Sequence, residues 1–132
     1  MARPKDVRFL ETHEWARKAK HDGKDVVELG ITDFAVQALG DLTFVDLPRV
    51  GDALVKGKSF GEIESVKAVS DMYAAVSGTV VAVNEGLKDN LDPVAKDPFG
   101  SGWMVRLTPS NPAEFNGLLD HAAYDKVCAQ AH

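Results

Sequence analysis

Apolar and polar residues alternate in short runs along most of this chain, and glycine, proline and aspartate interrupt them at close intervals. Val7-Arg8-Phe9-Leu10 and Trp15 to Lys18 read as extended, His21-Asp22-Gly23-Lys24 supplies turn chemistry, and Val26 to Ile31 completes a hairpin. Thr32 or Asp33 caps a short helix with Phe34, Ala35, Ala38 and Leu39 on one face, and Gly40 stands where a left-handed terminator belongs. Leu42 to Leu47 is a strand that stops at Pro48, and Val50-Gly51-Asp52 turns the chain again. Two further runs, Phe60 to Val66 and Val69 to Val76, join around Lys67-Ala68, and Gly78 to Val83 follows directly.

Two glycine-led runs between residues 50 and 91, Gly51 to Gly57 and Gly78 to Gly86, echo one another as half-motifs packed together. Asp92-Pro93, Asp97-Pro98 and Gly100-Ser101-Gly102 are loop chemistry, and Trp103 to Leu107 is a last strand. The tail turns helical: Asn111-Pro112-Ala113-Glu114 reads as a capping box, and a helix from about Asp120 through Val127 places Ala123, Tyr124 and Val127 on one face. Many short strands with few helical residues predict a mostly-β sandwich or barrel with short helices added.

Length and charge narrow the class. A chain of 132 residues is one domain's worth, residues 1–132, and its hydrophobic and charged fractions of 45% and 27% are those of a globular protein. One cysteine permits no internal disulfide and too few thiolates for a soft metal site, as in a reducing compartment. A net charge of −5 argues against sequence-independent nucleic-acid binding. The start, Met1 to Asp6, lacks an apolar run, and no stretch approaches the ~20 residues of a membrane span, so a cytoplasmic protein is expected.

No nucleophile elbow, phosphate loop or H-E-x-x-H motif is present, so no catalytic residue and no metal site is assigned. His13, His21, His121 and His132 are scattered and read as surface or capping residues without a role. Cys128 sits in the helical tail with no histidine or cationic cluster near it in sequence and reads as an idle thiol. Lys67 is different. It stands at the tip of a tight hairpin between acidic and small residues, which presents one amine away from the sheet as a modifying enzyme requires.

The stretch Glu64-Ser65-Val66-Lys67-Ala68, with His13-Glu14-Trp15, Gly30-Ile31-Thr32-Asp33, Leu39-Gly40-Asp41, Leu47-Pro48, Val76-Ser77-Gly78, Val83-Asn84-Glu85, Asp97-Pro98-Phe99 and Gly102-Trp103-Met104, resembles the H proteins of the glycine cleavage system from about Val7 to Tyr124. The resemblance implies a barrel-sandwich hybrid with lipoate joined to Lys67, and Glu64 and Gly78 read by the lipoate-attaching enzymes. It further implies that a cleft at Thr12, Glu14 and Asp71 holds the loaded arm. The implied partners are the P protein (glycine decarboxylase), which loads the aminomethyl group of glycine on the arm, and the T protein (aminomethyltransferase), which removes it. The L protein (dihydrolipoamide dehydrogenase) then reoxidises the arm. On this reading the protein is a non-catalytic, monomeric carrier.

Ala75 stands where the family usually has proline, Ala95 where it usually has asparagine, and Phe34 replaces a commoner polar aromatic. The first two are expected to loosen local turns, and Phe34 to alter how the arm is held. An alternative within the same resemblance is an H-like relay passing octanoyl or lipoyl groups from Lys67 to other proteins. A biotin carrier is disfavoured because Val66-Lys67-Ala68 replaces the usual Met-Lys-Met setting.

Overall fold

The computed structural model describes residues 3–130, so His132 and the Met1-Ala2 start lie outside the described residues. The first sheet carries β1 (Val7–Phe9), β2 (Glu14–His21), β3 (Lys24–Ile31), β5 (Ala53–Leu54), β8 (Gly78–Val83) and β9 (Val105–Pro109) in the order β1-β2-β3-β9-β8-β5. The second is a three-stranded sheet, β4-β6-β7, formed by β4 (Leu42–Asp46), β6 (Ser59–Ser65) and β7 (Val69–Tyr73). Val27, Leu29, Val80 and Leu107 of the first sheet and Val45, Ile63 and Met72 of the second share one buried cluster. The result is the mostly-β sandwich expected, with short helices at its margins.

Local chemistry accounts for most of these elements. Asp22 (φ 51) and Gly23 (φ 77) both adopt left-handed backbone, the two-residue turn that matches strand twist and locks His21 opposite Lys24. Thr32, not Asp33, caps helix α1 (Asp33–Leu39): its hydroxyl accepts from the Ala35 N–H at 3.2 Å, and Gly40 (φ 78) ends the helix. The echoed half-motifs are bonded to each other, since Ala53 pairs with Thr79 and Leu54 with Gly78.

Several elements differ from the sequence expectation. Asp92-Pro93 opens helix α2 (Asp92–Lys96) rather than a loop: proline is tolerated in a first helical turn, and Val94 at its centre is fully buried. Strand β7 ends at Tyr73 instead of Val76, and β9 begins at Val105, because turns bonded through Asp97 and Gly100 occupy the residues before Trp103. The capping box is half formed. Asn111 Oδ1 accepts from the Ala113 N–H at 3.2 Å ahead of α3 (Ala113–Asn116). The Glu114 carboxylate turns away and accepts instead from the Ser77 N–H at 2.8 Å and the Ser77 hydroxyl at 3.2 Å. Helix α4 runs further than predicted, His121–Gln130, with Tyr124 buried and Val127 packed against the same small cluster. Ala75, where a turn was expected to loosen, is fully buried in the core cluster, whereas Ala95 is exposed on α2.

Trp15 is buried in the core, its indole N–H donating to the Pro98 carbonyl at 3.0 Å, while Trp103 is half-buried and lies under the Arg106 guanidinium at 4.0 Å. A cross-strand register explains that arginine: Arg17, Glu28 and Arg106 stand opposite one another on β2, β3 and β9. The buried Glu28 carboxylate accepts from Arg17 at 2.8 Å and from Arg106 at 2.9 Å. Two guanidiniums around one buried carboxylate depend on it for charge balance. Glu28→Ala is therefore expected to lose about 3 kcal/mol of stability, measured by urea unfolding. A variant as stable as the native chain would show the triad to be dispensable.

Candidate functional site

The β6–β7 hairpin ends in a four-residue turn that is fastened from three sides. The Ser65 N–H donates to the Ala68 carbonyl at 2.8 Å, and the Val66 N–H donates to the Asp41 carbonyl at 3.0 Å. The Ser65 hydroxyl oxygen accepts from the amides of Lys67 at 3.3 Å and Ala68 at 3.1 Å. A short polar side chain bonding the backbone ahead of it is the usual way a serine stabilises a turn. The backbone under Lys67 is thus bonded while its side chain is exposed, and among the described residues that amine makes no ion pair. The lysine stem passes Gly40, where a Cβ would stand 3.7 Å from the Lys67 Cε and where the left-handed backbone disfavours any other residue.

Glu64 and Gly78 occupy different environments. Glu64 is half-buried on β6, opposite Phe44 and Val69. Gly78 belongs to the other sheet, where a Cβ would fall 2.2 Å from the Thr108 carbonyl oxygen. Close approach of β8 to β9 by itself requires glycine there, whatever an attaching enzyme reads.

Glu14, the first residue of β2, is 3% exposed. Its Oε2 accepts from the Tyr73 N–H at 2.9 Å and its Oε1 from the Thr12 hydroxyl. Burial pushes its carboxyl up to about 7 from the ordinary 4.5, against the opposing pull of those two donors. Thr12 and Tyr73 also line, with Leu10, Glu11 and Gly57, an open groove of about 360 Å³. Thr12 and Glu14 are therefore in direct contact. Asp71 is exposed two residues from Tyr73 on β7, and its carboxylate accepts from the Ser59 hydroxyl at 3.3 Å instead of meeting Glu14.

Sequence reasoning missed Tyr73, whose contribution is a backbone amide, and His13. His13 is not a surface residue. It holds a left-handed backbone (φ 78), stacks on Phe34 at 4.4 Å and shares a 2.7 Å hydrogen bond with the Tyr124 hydroxyl, which bonds Thr32 in turn. Burial, helped by the Arg3 guanidinium, holds His13 below its ordinary value, so the ring is neutral at pH 7. His121 is also packed, edge-on to Phe9 at 5.3 Å. Cys128 does have a cationic neighbour, the Arg3 guanidinium at 3.6 Å, supplied from the far end of the chain.

The Glycine cleavage H-protein family matches residues 7–131. The chain belongs to that family. A glycine cleavage system H protein of Anaeromyxobacter sp. (strain K) is 48% identical over 121 residues, covering 92% of this chain and 91% of the relative. That of Listeria innocua serovar 6a is 48% identical over 126 residues, covering 96% and 98%. The crystal structure of a glycine cleavage system H protein from Mycobacterium marinum superposes with a TM-score of 0.82 at 41% identity, over 93% of this chain and 96% of that one. Among the described residues of this H-family protein no helix is long and apolar enough to cross a membrane, and no group of metal-binding side chains converges.

The Glu14 carboxyl gives this H-family fold a measurable pH dependence. Its folded value of about 7 exceeds the ordinary 4.5, so the folded chain binds the extra proton in that window. Stability from this group is fully present below about pH 4.5 and is lost as pH rises through about 7, by up to about 3 kcal/mol. Glu14→Gln, which keeps the acceptor for Tyr73, is expected to abolish that slope in urea melts between about pH 5 and 8. Parallel curves for the two proteins would show that the carboxyl is not held protonated.

Proposed function

We propose that this chain is the lipoyl carrier of the glycine cleavage system, with lipoate in amide linkage to Lys67. The observation that carries the reading is the exposed Lys67 amine, without an ion pair among the described residues, on a turn whose backbone is fixed by Ser65 and Asp41, in a chain of the H-protein family. The residues fit such a group: the Lys67 side chain is exposed and open to acylation, on a turn held by Ser65 and Asp41.

On this proposal lipoate supplies the sulfur that receives the aminomethyl group of glycine and returns as a dithiol to be reoxidised. This chain's residues do the positioning. The Ser65 turn keeps Lys67 in one presentation, for the attaching enzyme and afterwards for the P, T and L proteins. Glu64, beside the turn on β6, and Gly78, on β8 of the other sheet, are read by the attaching enzyme. Glu14, bonded to the groove-lining Thr12 and Tyr73, offers its carboxyl to a cationic amine carried on the arm. A cation arriving there favours the ionised carboxylate and draws Glu14 down from about 7, so docking of the amine expels a proton near neutral pH. Burial strengthens that pairing relative to an exposed one, and Thr12 with the Tyr73 amide orients the carboxylate. Asp71 is exposed and adds a screened, weaker attraction. The chain acts as a cytoplasmic, monomeric component of the system without catalysis of its own, carrying one intermediate between active sites at raised local concentration.

Intact-mass measurement of protein purified from cells that make lipoate is expected to show the lipoyl addition in the native chain and none in Lys67→Ala. Modification that persists in Lys67→Ala, or its absence from the native chain, would falsify the assignment. Glu14→Gln is expected to leave lipoylation intact and to hold a loaded arm roughly tenfold less tightly, the loss of one buried charge pair. This is read from the hydrolysis rate of the loaded arm, and a rate equal to that of the native protein would remove Glu14 from the cleft.

A further inference from the structure

Neighbouring side chains on the turn between β1 and β2 serve different surroundings. Thr12 donates to the Glu14 carboxylate and lines the groove with Tyr73, whereas His13, the next residue, packs into a cluster built by α1 and α4. The turn is closed by backbone bonds: the His13 N–H donates to the Leu10 carbonyl at 3.1 Å, the Leu10 N–H to the Glu14 carbonyl at 2.9 Å, and the Thr32 N–H to the His13 carbonyl at 3.0 Å. His13 adopts φ 78, a region in which glycine costs least and side chains are uncommon. Glycine would serve the backbone of this turn better, so the imidazole itself needs a reason.

Tyr124 poses the same question from the other side. Its ring is fully buried and stacked on Phe9 at 4.2 Å, a packing role that phenylalanine would fill equally well. The hydroxyl is the costly part, because a buried O–H must be bonded. It is bonded twice, to His13 Nδ1 and to the Thr32 hydroxyl, each at 2.7 Å, and burial keeps it protonated by raising it above its ordinary value. Phe34 adds its ring to the other face of the arrangement, stacked on His13 at 4.4 Å. Arg3 fastens the two helices behind it, pairing with Asp33 of α1 at 2.9 Å and Asp125 of α4 at 2.8 Å while lying over the Tyr124 ring.

We infer that His13 and Tyr124 are positioning residues for the groove: held by the Tyr124 hydroxyl, the imidazole fixes the turn so that Thr12 keeps the Glu14 carboxyl in one orientation. The inference deepens the carrier reading, on which it rests for the cationic amine that Glu14 would meet. Every link in the path is a bond. It runs from the Tyr124 hydroxyl to His13, through the peptide to Thr12, from the Thr12 hydroxyl to one oxygen of Glu14, and from the other oxygen to the Tyr73 amide in the second sheet. A carboxyl locked in this way does not have to be reoriented when a ligand arrives.

Amide hydrogen exchange in the full chain without lipoate reads the positioning directly, because the Tyr73 N–H ends on the Glu14 carboxylate. Tyr124→Phe is expected to speed exchange at Tyr73 roughly fivefold, and His13→Gly, which relieves the backbone but removes the ring, roughly tenfold. The Ser65 amide, bonded to Ala68 in the same sheet, is expected to keep its native rate. His13→Asn, which tolerates the same backbone and keeps an acceptor near the position of Nδ1, is expected to stay within about threefold of the native rate. Exchange at Tyr73 unchanged in Tyr124→Phe and His13→Gly, or rising only in step with Ser65, would overturn the inference. Exchange in His13→Asn as fast as in His13→Gly would overturn the part played by the bond to Tyr124. In the lipoylated chain, Tyr124→Phe is expected to lose a loaded aminomethyl group to hydrolysis roughly threefold faster than the native chain, and equal rates would overturn the link to the arm. A native chain without lipoate by mass would remove the carrier reading alone, since exchange in the bare chain decides the positioning independently.

Discussion

The register of β6 against β7 determines what this molecule presents to its surroundings. With Glu62 opposite Asp71 and Gly61 opposite Met72, Ile63 and Met72 enter the core while Glu62 and Asp71 face solvent. A slip of one residue would exchange the two sets, moving Ile63 outward and carboxylates inward, at the cost of several buried groups. Ser65 protects that register where it is weakest, at the turn, by bonding two successive amides, and Asp41 anchors the same turn to the start of β4. Placement of Lys67 is thus a property of the sheet and not of the lysine itself.

A second dependence runs through Glu14. Its carboxyl is buried but is given two donors, so its charge state is poised between forms near neutral pH. Donors alone would hold it ionised and burial alone would hold it neutral; the balance makes it responsive to a cation. The groove beside it is braced from behind. His13 follows Thr12 in the chain and is locked by Phe34 and Tyr124, which links helix α4 to the loop that shapes the groove.

What was legible in the sequence is what short-range chemistry dictates. Asp22-Gly23 announces its hairpin, Thr32 and Gly40 bracket α1, and the segment around Lys67 declares both turn and motif within a few residues. Contacts between distant residues were not legible: His13 meets Tyr124 across 111 positions, and Arg3 meets Cys128 across 125. Both histidine and cysteine therefore looked isolated. Tyr73 escaped notice because a backbone amide leaves no mark in side-chain identity. Helix α2 was hidden because proline and aspartate suit a loop as well as a first helical turn, and burial of Val94 decided between them. The order of the two sheets depends on pairings such as Val27 with Leu107, beyond the reach of periodicity.

Strand β7 is also the free edge of its sheet, a short row of backbone groups bordered by an exposed valine. Such an edge is a template on which a second copy of the chain can add its own strand. Antiparallel pairing of two β7 edges about Asp71 would set one Asp71 carboxylate opposite the other, with Glu62 in the next strand of each sheet. Negative charge at the edge beside Lys67 therefore opposes its pairing with a second copy.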